Sequence, residues 1–71
     1  MSVEQSYTVT GMTCGHCVAH ITEEMQAVEG VKDVTVTLAD GSMVVTSDAP
    51  VDFAAVQAAV AEAGDYQVAA A

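Results

Sequence analysis

The chain has no tryptophan, one proline, three aromatic residues and one basic side chain, Lys32. Nucleic-acid binding recruits clusters of Lys and Arg against phosphates, and adhesion to anionic membranes recruits them against lipid headgroups. A single lysine excludes both as a main role. No window reaches the roughly 18 consecutive apolar residues that cross a bilayer. Met1-Ser2-Val3-Glu4-Gln5 has no basic segment followed by an apolar run, so no secretory signal is expected and the cytoplasm is the expected compartment.

Acidic and small apolar residues are abundant instead. Ten carboxylates against one lysine give a net charge of −9, and apolar residues make up 52% of the 71-residue chain. This is the composition of one globular domain, here residues 1–71. A chain so short buries only about 60% of its extended surface, so its core is small. The carboxylates are spread over both halves. They confer solubility and self-repulsion, and they could steer a partner that carries a basic patch.

Taken in order, residues 2–10 read as a strand, with Val3, Tyr7 and Val9 on one parity and Ser6, Thr8 and Thr10 on the other. Gly11 breaks it, and Thr13 is placed to cap a helix over about Cys14 to Ala27. Val18, Ile21, Met25 and Val28 form the apolar stripe of that helix, and Gly30 stops it. Val31–Leu38 and Ser42–Ser47 read as two strands joined through Ala39-Asp40-Gly41, with Val34, Val36, Leu38, Met43 and Val45 facing inward. Pro50 lies in a loop and Asp52 is placed to cap a second helix. That helix carries Phe53, Val56, Val60 and Ala63 at i, i+3, i+7 and i+10 and ends at Gly64. Tyr66 to about Val68 forms a last short strand, and Ala69–Ala71 are expected to fray. The order is βαββαβ. An α+β domain, one antiparallel sheet with two helices on one face, buries both helix stripes and one parity of each strand.

Both cysteines fall in Gly11-Met12-Thr13-Cys14-Gly15-His16-Cys17, where the first strand passes into the first helix. Three chemistries use Cys-x-x-Cys. Thiol–disulfide exchange needs a low-pKa thiolate at a helix N-terminus, but the Trp and Pro usual around such redox pairs are missing here. Structural zinc wants four ligands, for which His20 and His16 would have to join the single cysteine pair. A soft monovalent ion such as copper(I) accepts two or three sulfur ligands, and such an under-coordinated site on a mobile loop suits transfer. The motif alone does not decide among the three.

The same seven residues resemble the Gly-Met-Thr-Cys-x-x-Cys signature of heavy-metal-associated domains, and most closely those of bacterial CopZ-type copper chaperones. Val28-Glu29-Gly30-Val31 and Val34-Thr35-Val36 fit the helix-to-strand junction of that family, and Ala63-Gly64-Asp65-Tyr66 resembles its Ala-Gly-Tyr corner. The resemblance implies a ferredoxin-like fold and a cytoplasmic copper(I) metallochaperone, with Cys14 and Cys17 as the Cu(I) ligands. It implies a hydrophobic tether at Met12 and an aromatic near the ion at Tyr66. Asp65 stands where the family has a direct Gly-Tyr step, so a displaced ring is expected. The implied partner is the metal-binding domain of a copper-transporting P-type ATPase. The domain would be a monomer without metal, with a copper-bridged dimer conceivable through shared thiolates.

His16 is placed on the exposed loop, as a third ligand, a nearby cation or a bystander. His20 is placed on the helix surface one turn from Glu24. No nucleophile with a base and no phosphate-cradling loop appears, so a carrier is expected in place of an enzyme. The competing readings are an N-terminal domain of a copper ATPase, a mercury(II) or zinc carrier, and a thiol oxidoreductase.

Overall fold

The structure is a computed structural model that describes residues 2–13 and 15–71. Its elements are β1 (Val3–Thr10), α1 (Gly15–Gln26), β2 (Val31–Thr37), β3 (Ser42–Ser47), α2 (Phe53–Ala63) and β4 (Gln67–Ala70). The strands form one antiparallel sheet in the order β2-β3-β1-β4, and both helices pack on one face of it. This is the ferredoxin-like α+β arrangement.

The register explains the core. Val36, Met43, Tyr7 and Ala70 lie in one row across the four strands, and Val34, Val45 and Gln5 lie in the next. Tyr7, Val34, Met43 and Val45 are buried there beneath Ile21 and Met25 of α1 and Val56, Ala59 and Val60 of α2. The opposite parity is polar: Glu4, Ser6, Thr8 and Thr10 are all exposed. Gln5 points inward and its amide oxygen accepts from Val51 N–H at 3.0 Å, which ties the lead-in of α2 to β1. Ser47, fully buried, donates its hydroxyl to the Ala49 carbonyl at 2.7 Å. Both polar groups therefore keep a partner where water is excluded.

Asp52 caps α2, accepting from Ala54 N–H at 3.3 Å, and Gly64 ends that helix. The hairpin between β2 and β3 has a four-residue connection, Leu38–Gly41, in which the Asp40 carboxylate accepts from Ser42 N–H at 3.0 Å. Those hydrogen bonds from Ser42 hold the Asp40 carboxyl below its ordinary range. The β2 register shifts between Val31 and Asp33, and Lys32 at the shift pairs with Asp48 at 2.9 Å. Both partners are more than half exposed, so this pair contributes little to stability.

Several expectations are corrected. The buried stripe of α1 is Cys17, Ile21 and Met25, and Val18 is only half-buried. Spacing of four brings Cys17 onto the Ile21 face, and the apolar Val18 is turned away by the same geometry. Leu38 is 41% exposed, because β2 ends at Thr37 and the turn carries Leu38 off the sheet. Phe53, at the first position of α2, is 37% exposed and stacks on Tyr7 with ring centroids 6.2 Å apart, while Ala59 takes the core position. The last strand starts and ends later than expected. Ala69 and Ala70 pair with Thr8 and Tyr7, and Ala71 N–H donates to the Ser6 carbonyl, so the alanine tail is held by backbone bonds that side-chain composition does not reveal.

Candidate metal site

The motif occupies the passage from the end of β1 to the start of α1, at one end of the sheet. Cys14 lies outside the described residues. Cys17 lies in the first turn of α1 and is 8% exposed, on the core face with Ile21 and Met25. The helix expected over about Cys14 to Ala27 does contain it, but its place among the buried apolar residues of that helix was not expected. That position is near the positive end of the helix dipole, which favours a thiolate.

Thr13 was expected to cap α1. The intervening Cys14 lies outside the described residues; the Thr13 hydroxyl lies 3.7 Å from Cys17 Sγ, within hydrogen-bonding distance for sulfur. Toward a thiolate the hydroxyl is the donor. Met12 is half-buried and packs against the core, which anchors the loop from beneath.

Tyr66 reaches this end of the molecule from the other side. Its N–H donates to the Gly64 carbonyl at 2.9 Å, a tight turn that accommodates Asp65. The ring then lies on the backbone of Gly64, where a Cβ would stand 2.9 Å from Tyr66 Cε2. It also borders Gly11, where a Cβ would stand 3.5 Å from Cδ1 and 3.0 Å from the Asp65 carbonyl oxygen. Both glycines have positive φ, +97° and +155°, so a side chain at either would be strained twice over. The aromatic therefore borders the first residue of the motif despite the interposed Asp65.

His16 is exposed and belongs to α1, and so does His20. His20, Glu23 and Glu24 of α1 line an open concavity with Glu62 and Ala63 of α2. Among the described residues, no three His, Cys, Asp or Glu side chains already stand together as a metal site. The motif's sequence offers two cysteine sulfurs, and the Thr13 hydroxyl lies against that of Cys17; a pair of soft sulfurs suits a soft ion with low coordination number. Sequence reasoning missed the Thr13–Cys17 contact, since spacing alone pointed Thr13 at the helix backbone.

The profile of the heavy-metal-associated domain matches residues 6–65. The chain belongs to the heavy-metal-associated domain family. It is 40% identical over 60 residues to Copper-transporting ATPase 1 of Rhizobium meliloti, a match covering 84% of this chain and 7% of that protein. It is 44% identical over 46 residues to the copper chaperone CopZ of Enterococcus hirae, covering 65% of this chain and 67% of that one. A solved structure of a CopZ metallochaperone superposes with a TM-score of 0.84 at 26% identity, covering 94% of this chain and 100% of the other. The chain thus spans a small fraction of the transporter it resembles and most of the length of the chaperones. Among the described residues no helix is long and apolar enough to cross a membrane.

Proposed function

We propose that this heavy-metal-associated domain is a cytoplasmic copper(I) chaperone that holds one ion between Cys14 and Cys17. The observation that carries the reading is the placement of Cys17: first turn of α1, largely buried, with the Thr13 hydroxyl against its sulfur. A hydrogen-bond donor and the helix N-terminus both favour the thiolate, which is the form that binds metal. Copper(I) is cargo here. Transfer proceeds when a thiolate of the receiving domain binds the ion and a thiolate of this chain leaves. No electron moves, and the proton freed by the incoming thiol is available to the departing thiolate.

The receiver in this reading is the metal-binding domain of a copper-transporting P-type ATPase. With one lysine in 71 residues, this chain presents acidic groups to it, so the receiving face is basic or apolar. Loading the chain with copper(I), mixing it with such a domain and following both by NMR tests this. The reading predicts copper-induced shifts at residues 11–17 that vanish as those of the receiver appear. Shifts that stay on this chain with a thiol-competent receiver in excess would contradict it.

A second reading has an observation of its own. The 40% identity to a copper-transporting ATPase over 84% of the chain fits an N-terminal metal-binding domain of such a transporter. There the site would be the same and the partner would be the rest of the same polypeptide.

A further inference from the structure

We propose that β4 is a pairing edge that joins β4 of a second copy of this chain, antiparallel across a two-fold axis at Ala69, so that the two four-stranded sheets become one. The order β2-β3-β1-β4 leaves two outer strands. Backbone groups at a sheet edge pair with any strand that reaches them, unless charges, bulges or side chains block the approach. β2 is blocked in each way. Its register shifts between Val31 and Asp33, Lys32 at the shift pairs with Asp48, and the Asp33 carboxylate accepts from Val34 N–H at 3.0 Å. β4 carries no charge and no proline, and its register with β1 is regular. Gln67, Ala69 and Ala70 are exposed and Val68 is half-buried.

Hydrogen-bond parity fixes which groups this edge offers. Ala71 N–H donates to the Ser6 carbonyl, and Ala69 and Gln67 share its parity opposite Thr8 and Thr10. Successive residues of an antiparallel strand turn their N–H and C=O to opposite sides. Val68 and Ala70 therefore turn theirs outward. With the axis at Ala69, Val68 of each copy stands opposite Ala70 of the other, and each such pair exchanges two bonds. The edge is thus self-complementary, as a two-fold interface requires. The side chains agree. Val68 and Ala70 lie in the rows of Val9 and Tyr7, on the helix face, so the helices of both copies fall on one side of the joined sheet.

The net charge of −9 opposes self-association, but this flank is neutral. Glu62, the one carboxylate of α2, lines the concavity shared with Glu23 and Glu24 of α1. Gln57 turns the other way and lines a concavity beside the edge with Tyr66, Gln67 and Val68. Phe53 and Ala61, at i−4 and i+4 from Gln57, share its face of the helix. Phe53 is 37% exposed and stacks on Tyr7, the residue in register with Ala70. Asp65 is the carboxylate nearest to β4 in sequence. The two copies' Asp65 would stand about 26 Å apart along the paired strands, beyond the Debye length of about 10 Å at 0.1 M salt. So small an interface makes a weak, concentration-dependent dimer. It forms without metal, in place of the monomer expected in that state, and it does not rest on the copper(I) reading.

The test is sedimentation equilibrium of the reduced, metal-free chain from micromolar to millimolar concentration, at low and high salt, with a Cys14→Ser/Cys17→Ser chain alongside. The mass should rise with concentration from 7.2 kDa toward twice that value, equally in both chains. The rise should come at lower concentration in high salt, which screens the net charge. Ala70→Pro removes an outward N–H and leaves the bonds to β1 in place. The dimer then loses two bonds and should weaken roughly tenfold or more. Ala69→Glu sets two carboxylates against each other at the axis and should weaken it by a similar factor. Ala39→Glu, on the exposed hairpin, gives the same net charge and should weaken it much less. A monomer at every concentration and salt, a dimer equally stable in Ala70→Pro and Ala69→Glu, or a dimer that needs copper or the cysteines would overturn the proposal. None of these outcomes bears on copper(I) retention by the thiol pair, so failure here is distinguishable from failure of the chaperone reading.

Discussion

The hydroxyl of Thr13 lies 3.7 Å from the sulfur of Cys17, across the junction where β1 becomes α1. A loop residue and a helix residue are thereby coupled at the sulfur proposed to bind metal. Replacing Thr13 by Val keeps the shape and removes the donor. The loss of one such bond costs about 1 kcal/mol, so copper(I) retention at fixed pH should fall roughly fivefold, while Thr13→Ser retains most of it. Competition with a copper(I) chelator measures the change. Equal retention in all three chains would show the contact to be idle.

The Tyr66 ring rests on Gly64 and beside Gly11. Gly64→Ala should cost about 1–2 kcal/mol, from the strained φ and from displacement of the ring. In Tyr66→Ala the second part is already lost, so the two substitutions should be non-additive in urea unfolding. Gly15 is the contrast: a Cβ there meets nothing within 4 Å, and Gly15→Ala in the first turn of α1 should be neutral or slightly stabilising. Additive losses at Gly64 and Tyr66 would show that the ring is not seated on Gly64.

Ile21 is fully buried between α1 and the sheet. Ile21→Ala should cost about 3 kcal/mol and lower the melting temperature by 10 °C or more, a large share of the stability of so short a domain. Leu38→Ala, on the hairpin, should change stability by less than about 0.5 kcal/mol. Thermal unfolding of the two variants reads the difference directly, and comparable losses would place the core boundary wrongly.

Tyr7 is buried, and desolvation raises its phenol above the ordinary value near 10. The folded state thus prefers the protonated ring. The associated stability is fully present below the unfolded pKa and is lost as pH rises through the higher folded one. Stability should therefore fall above about pH 10. Tyr7→Phe should flatten that part of the curve, and an unchanged alkaline slope would assign the loss to another group.

Exposed Glu23 and half-buried Glu24 of α1 line an open concavity with Glu62 of α2. If the receiving domain is basic, Glu23→Gln/Glu24→Gln should slow association several-fold at low salt and reduce its dependence on ionic strength. Stopped-flow mixing at two salt concentrations checks this. An association rate indifferent to both the substitutions and the salt would point to an apolar interface.

The architecture was legible because period and punctuation agreed. Alternation in β1 and β3, the 3.6-residue stripes of both helices, and turn residues at Gly30, Asp40-Gly41 and Gly64 all point to the same βαββαβ order. The errors arose where a residue was read by its chemistry alone. Cys17 was treated as reactive and left out of the apolar stripe that it in fact joins. Phe53 was treated as core, yet the first residue of a helix lies at the rim and finds only Tyr7 to stack on. Ala69 and Ala70 have low strand propensity, and their strand exists because Thr8 and Tyr7 present a backbone edge. Asp65 broke the local pattern, and a Gly64–Tyr66 turn takes it up so that the ring borders Gly11.

The central claim is that the cysteine pair selects copper(I). The most direct measurement is an anaerobic titration of the reduced chain with copper(I) against a chromophoric chelator, repeated with zinc(II) and with Cys14→Ser and Cys17→Ser. The account predicts one copper(I) held far more tightly than zinc(II), with retention abolished by either substitution. Copper(I) lost to the chelator as readily by the native chain as by the variants would contradict it.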